Sequence, residues 1–448
     1  MPDTQHSTNP AAVLEQAANI LQKARERADT PAIIRALINL GKTYLDGGAA
    51  PKALTQFEEG IELAEQLGEK EAEARLWGFK GMALQKIGNF HFAQLAVLKS
   101  HKLAKEIGQK PLIIDTFIQL GTLQAEMGQE TKAISKLEQA FGIAQANGDT
   151  TREMLIAGRL GSLFLGMESL EKAAEYFGSA LRAAQKLGDR RAECMAHLSI
   201  GQVLLANEEI GAAGESFEQA LNLATETEDP LAEINALSQL LRLNIRAGNL
   251  SLTILYGDHV IRLTKQIQDE LAEISHISML TTFLLDHTQF KRALPYLERG
   301  LTIARAKEDW DWQVTMLTNL GFVSYNLEQF EPALTHYSEA LTLTRQTHDK
   351  TAEAHLLGRI GAVQAELGHL AKAVKTAEEA LQVAENLEDH KLMGEQHILL
   401  AFSYSDLGQI ETAVDHAQKA VTLYQSIHAN ALAEQAQALV SELQALSS

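Results

Sequence analysis

One cysteine, Cys194, stands among 448 residues. A lone thiol cannot close an internal disulfide or build a cysteine-based zinc site, and it suits a reducing compartment, the cytoplasm. Long apolar runs are missing too. No stretch of roughly 18 apolar residues occurs, so no segment is expected to insert in a membrane. Met1 to Asn9 is polar, without an apolar centre or a cleavage pattern, and reads as a disordered tail rather than a leader. Positive charge is in the minority: 39 Lys and Arg stand against 58 Asp and Glu, a net charge of −19. That balance argues against a nucleic-acid or anionic-membrane binder. The sequence holds no phosphate loop, zinc-protease helix, dinucleotide fingerprint or nucleophile elbow. Its fifteen histidines are scattered without ligand spacing. No enzyme, metal or cofactor is expected.

What the chain has in abundance is itself. The stretch Leu40–Glu69 recurs every forty residues: Gly41 returns as Gly81, Gly121, Gly161, Gly201, Gly321 and Gly361. Ala53 returns as Ala93, Ala133, Ala173, Ala213, Ala293, Ala333, Ala373 and Ala413, and the acid at Glu69 as Asp149, Asp189, Asp229, Asp269, Asp309, Asp349 and Asp389. No insertion disturbs the register between Pro31 and Asn430. A fixed period of this kind marks a solenoid, in which no unit buries its apolar face alone.

Each unit reads as two helices. Leu40, Gly41 and Tyr44 lie on the first (A); Ala53, Phe57, Gly60 and Ile61 lie on the second (B), at helical spacings. The break Asp46–Pro51 ends one with glycine and starts the next with proline. A glycine inside helix A costs about 1 kcal/mol against alanine, so its recurrence predicts close approach of helix B at its matching alanine. By this register the chain opens on a half-unit at 10–30, continues through ten repeats at 31–430, and closes on a capping helix at 431–448: an all-α solenoid of about 22 helices. Leu241, Thr281, Thr253 and Gly257 break the pattern in units six and seven.

Leu40, Gly41, Tyr44, Ala53, Phe57 and Gly60 stand at the spacings of the tetratricopeptide repeat, with Trp77 and Phe117 at its early large apolar position. The chain resembles the long, roughly 40-residue form of that repeat in Pins-type adaptors, kinesin light chains and bacterial sensor proteins. The resemblance implies a right-handed superhelix of antiparallel helix pairs and a concave face lined by A helices. It also implies a non-enzymatic scaffold that holds a peptide or helical segment of a protein partner.

Carried onto this register, the inward face offers Arg35, Asn39 and Lys42 in unit one and Arg159 in unit four. Further on it offers Arg242 and Arg246, then Asn319, Phe322, Tyr325 and Asn326, then His355 and Arg359. Arginines one turn apart suit carboxylates, and asparagine amides suit both polar groups of a peptide backbone. Asp115, Glu126, Asp286, Glu366, Glu395 and Asp406 on the same face rule out a uniformly basic groove. An apolar seam near Tyr256 and Trp310, the latter placed in the loop after the seventh B helix, is the candidate for a homodimer contact. Two alternatives stand beside the scaffold: a ligand- or peptide-sensing regulator whose superhelix changes pitch at units six and seven, and an assembly or chaperone factor for a larger complex.

Overall fold

The structure, a computed structural model, describes residues 10–446; the expected disordered tail at 1–9 lies outside them. The described residues form 22 helices and no strand. In chain order they are α1 (Pro10–Glu26), α2 (Thr30–Asp46), α3 (Ala50–Leu67), α4 (Lys70–Lys86), α5 (Phe90–Glu106), α6 (Lys110–Glu126), α7 (Glu130–Asn147), α8 (Thr150–Gly166), α9 (Leu170–Leu187), α10 (Arg190–Ala206) and α11 (Ile210–Glu226). There follow α12 (Pro230–Arg246), α13 (Leu250–Gln266), α14 (Glu270–Asp286), α15 (Phe290–Ala306), α16 (Trp310–Asn326), α17 (Phe330–Thr347), α18 (Lys350–Glu366), α19 (Leu370–Asn386), α20 (His390–Asp406), α21 (Ile410–Ser426) and α22 (Asn430–Leu446). Even-numbered helices are the A helices and odd-numbered ones the B helices. The chain separates into two compact units, Met1–Ala236 and Leu237–Ser448. From α1 to α11 and again from α13 to α22, each helix packs on the one before it.

Local chemistry fixes the spacing. Each turn from residue 28 to residue 428 places a left-handed residue at the same point, twenty residues apart, with φ between 49° and 82°. Glycine fills many of these places, for example Gly48, Gly148 and Gly248, but Thr288 and several glutamates also take them. The next N–H then reaches back five residues, as from Ala49 to the Tyr44 carbonyl at 2.8 Å. This is the Schellman closure, which satisfies carbonyls left over at a helix end. The recurring acid has an equally local role. Asp29, Asp149, Asp189, Asp229, Asp269, Asp309, Asp349 and Asp389 are N-caps, each accepting the N–H three residues on. An aspartate cap of this kind contributes about 1 kcal/mol.

The recurring glycine of helix A needs its missing side chain for a reason the sequence misassigned. The neighbour is chiefly the large residue sixteen positions on, rather than the alanine at position twelve. A Cβ on Gly41 would lie 2.3 Å from the Phe57 ring, on Gly161 2.7 Å from Phe177, on Gly201 2.5 Å from Phe217 and on Gly321 2.6 Å from Tyr337. Alanine carbonyls add to the crowding only at some copies, as at Gly121, 3.2 Å from Ala133 O. Unit six inverts the pair: Leu241 is large and fully buried, and Gly257 is the small partner position, with Leu280 closing in at 2.9 Å. In unit six the large residue is thus on helix A and the small one on helix B. Trp310 also differs from expectation. It is the first residue of α16, placed by the Asp309 cap, and stands 44% exposed.

Candidate functional site

A helices pack directly on their successors, α2 on α4, α4 on α6, α8 on α10 and α18 on α20. The side chains between them form the row of positions read from the sequence as the inward face. At one register that row carries Ile38, Gly78, Ile118, Gly158 and Leu198 in the first unit, and Ser238, Ser278, Thr318, Gly358 and Ile398 in the second. Each of the three glycines borders a pocket. At Gly158 the missing side chain leaves open space, whereas at Gly78 and Gly358 the space is bordered by Gln119 and filled by Gln396.

One pocket, of about 560 Å³, lies where α8 runs between α6 and α10. A Cβ on Gly158 would meet nothing within 4 Å. Its walls are apolar, with Met154, Leu155, Leu163, Phe177 and Met195 prominent, and Leu155 and Met195 are exposed at its mouth. Arg159 is the one charged residue in its lining. Its Nη1 donates to Thr122 Oγ1. Desolvation by these walls lowers the pKa of the guanidinium, with nearby Glu126 opposing the shift; the group stays charged regardless. Two of the pocket's hydroxyls are committed as donors elsewhere, Thr122 to the Ile118 carbonyl at 2.9 Å and Ser162 to the Gly158 carbonyl at 3.0 Å.

On the other side of Leu155 and Arg159 lies a second pocket of about 460 Å³. Here two of the three lining arginines are already matched. Arg152 holds Asp115 through two hydrogen bonds at 2.7 and 3.0 Å and Asp149 at 2.7 Å, and Arg75 holds Glu71 at 2.8 Å. The third pocket, about 290 Å³, belongs to the second unit and is lined by His355, Gly358, Arg359, Glu395, Gln396 and Leu399. Gln396 is buried at 4% exposure with its amide oxygen unpartnered. A Cβ on Gly358 would come within 2.7 Å of that amide, so the glycine makes room for it.

Some of the residues expected on this face are drawn together. The Arg359 guanidinium lies 5.6 Å from the Phe322 ring centre and 5.9 Å from that of Tyr337, and donates to the Tyr337 hydroxyl at 3.4 Å. Tyr325 donates to Glu366 at 3.2 Å. Asn326, by contrast, donates to the Phe322 carbonyl of its own helix at 2.8 Å, so part of its amide is already used. Arg35, Asn39, Arg242 and Arg246 are exposed, and Lys42 lies 5.6 Å over the Phe79 ring. Tyr256 is partly buried on α13 beside Leu255, which is exposed.

Several polar clusters escaped the sequence. His276 is buried, its Nδ1 2.7 Å from the Ala272 carbonyl and its Nε2 2.7 Å from Ser238 Oγ. The carbonyl can only accept, so Nδ1 carries the proton and Nε2 accepts from the serine; burial, then Arg242, holds the pKa of this imidazole down. His397 and His416 meet through their Nδ1 atoms at 2.9 Å, and burial lowers His397 to about 4. Glu273, 1% exposed, is clasped by Arg299 at 2.7 and 2.8 Å. Glu73, Glu193, Glu273 and Glu353 share one register near the start of their A helices, a signal that was present in the period.

Residues 312–386 match the family model described as tetratricopeptide repeat, and residues 113–158 match one described as anaphase-promoting complex subunit 5. No curated protein matches the chain. Among solved structures it is similar to BtubC (BKLC) from P. vanneervenii, at 16% identity over 50% of this chain and 94% of that one, TM-score 0.46. It is also similar to a putative kinesin light chain from Podospora anserina with nearly identical TPR-like repeats: 15% identity, 44% of this chain and 97% of that one, TM-score 0.39. A signal transduction ATPase with a tetratricopeptide repeat sensor from Pyrococcus horikoshii matches at 16% identity over 97% of this chain and 56% of that one, TM-score 0.36.

Proposed function

We propose that this chain, built from long tetratricopeptide repeats, is a non-enzymatic scaffold that holds an extended or helical segment of a protein partner against its A helices. The observation that carries the reading is the pocketed A-helix row itself. Recesses lie there among exposed Arg and Asn side chains and the half-buried Phe322 and Tyr325, whereas the apolar core is closed by the Gly–Phe pairs beneath. In the first unit Arg35, Asn39, Lys42 and Arg159 are the contacts we assign. In the second they are Arg242, Arg246, Asn319, Phe322, Tyr325, Asn326, His355 and Arg359. A segment with carboxylates suits the arginines, which can take them in a two-pronged grip. The compartment we assign is the cytoplasm, where the lone, buried Cys194 stays reduced.

The test is capture from source lysate with the wild-type chain and with the combined Arg242→Ala, Arg246→Ala, Asn319→Ala and Asn326→Ala variant, read by mass spectrometry. Loss of a partner in a variant with unchanged helicity supports the assignment; identical partner sets refute it. A homodimer through Leu255, Tyr256 and Trp310 is the second arrangement, favoured by the exposed Leu255 and Trp310. A sedimentation mass that stays monomeric at all concentrations removes it.

A further inference from the structure

The Gly158 pocket differs from its two companions in what it leaves unmatched. In its neighbour, which shares Arg159 with it, the other two arginines, Arg75 and Arg152, are already held by carboxylates. The Gly158 pocket has one guanidinium, no acid in its lining although Glu126 stands nearby, and two hydroxyls, Thr122 and Ser162, whose protons go to helix carbonyls. Arg159 is therefore the identifiable cationic donor it presents, and beyond it the walls are methionine, leucine and phenylalanine. A cationic ligand would find no counter-charge, and a phosphate or diacid would find one cation where two are needed. An uncharged apolar ligand would cover the guanidinium while adding nothing to its one hydroxyl partner, Thr122, which is costly. A single carboxylate on an apolar body meets both halves, since the planar guanidinium takes a carboxylate through paired, charge-assisted hydrogen bonds. The volume of about 560 Å³ falls in the range, roughly 300–1,000 Å³, of pockets that hold small organic ligands.

We infer that the pocket between α6, α8 and α10 binds a small monocarboxylate with an apolar body, the carboxylate on Arg159 and the body over Gly158 between Met154 and Met195. Arg159 is also among the partner contacts assigned above; the two roles are told apart because this site is read with small probes on the isolated full chain, without any partner.

Titration calorimetry with decanoate, decanol and decyltrimethylammonium tests it, with methyl-labelled methionine spectra to place the ligand. Decanoate should bind saturably at one site and move the Met154 and Met195 methyl signals; decanol and the ammonium should bind tenfold or more weakly. Arg159→Gln should weaken decanoate about tenfold or more, the usual scale for losing a hydrogen bond to a charged partner. Gly158→Leu should abolish binding while remaining folded, because its side chain enters open space and leucine favours the helix over glycine. An N-acetylated tripeptide ending in leucine, compared as free acid and amide, asks whether a chain end supplies the same carboxylate; preference for the free acid supports the site. Binding of neither acid at millimolar concentration overturns the inference. So does decanoate binding that survives Gly158→Leu, or decanol binding equal to decanoate.

Discussion

Gly201→Ala and Gly142→Ala are the same chemical change on two helices, and the structure gives them opposite signs. Both replace a helical glycine, which favours the folded chain by about 1 kcal/mol. At Gly142, on α7, the new methyl meets nothing within 4 Å, so that gain is kept. At Gly201, on α10, it would sit 2.5, 2.7 and 2.9 Å from three atoms of the Phe217 ring, which is 0% exposed. A rigid ring in a closed site cannot swing one terminal atom aside, so helix and ring must separate, at about 1 to 3 kcal/mol for overpacking. The expected net is about 1 kcal/mol of destabilisation at 201 and up to about 1 kcal/mol of stabilisation at 142. Repeats couple mainly to their neighbours, so the readout is peptide-resolved amide hydrogen exchange over residues 190–226 and 130–166. Adding Phe217→Leu to Gly201→Ala should cost less than the sum of the two single changes, because the smaller side chain leaves room for the methyl. Equal stabilisation at both glycines, or strict additivity with Phe217→Leu, would refute the Gly–Phe pairing.

Thr288 is a β-branched residue at φ 56°, and a left-handed backbone costs roughly 1–2 kcal/mol outside glycine. Thr288→Gly should therefore raise the urea midpoint, part of the gain being lost to the greater freedom of glycine in the unfolded chain. Asp309→Ala removes the cap on the Trp312 N–H and should cost about 1 kcal/mol, seen as faster exchange in the first turn of α16. The His397–His416 contact gives a pH dependence. His397, facing His416 and Lys419, holds a pKa of about 4 against an ordinary 6.5, and His416, with Lys419, Asp415 and Glu378 around it, is lowered too. Below about pH 6.5 the unfolded chain takes up protons that the folded one refuses, so stability should be full above that pH and fall toward pH 4. Comparing urea midpoints at pH 7.5 and pH 5 for wild type and His397→Gln checks this: the variant should lose part of the difference, and an unchanged difference would count against the pair.

Much of this was legible because the period is strict. The helix pairs, the turns and the small positions could all be read from one repeat. The reasons were less visible. The recurring aspartate reads as an acid in a loop until its backbone partner, three residues on, is seen. The helix A glycine reads as facing alanine, because sequence spacing does not tell which rung of a neighbouring helix comes level with it; the answer is the residue sixteen on. Leu241 and Gly257 looked like two departures and are one exchange. Gly158 and Gly358 went unremarked beside the recurring Gly161 and Gly361, although isoleucine or leucine at the same register in other copies marks them as deletions of side chain. His397 and His416 lie nineteen residues apart on different helices, a separation that no spacing rule connects.

The turn at every twentieth residue also limits how the chain can change in length. An insertion that keeps all the left-handed positions and caps must be a whole multiple of twenty residues. An odd multiple would exchange A for B from that point on, putting the recurring glycines at the register of Ile61, Ile261 and Leu301, where large side chains are buried. Only forty-residue steps keep the faces in place, so the protein's size is quantised. Excising residues 110–149 should leave a shorter chain whose remaining helices keep their partners, whereas excising 130–149 should not.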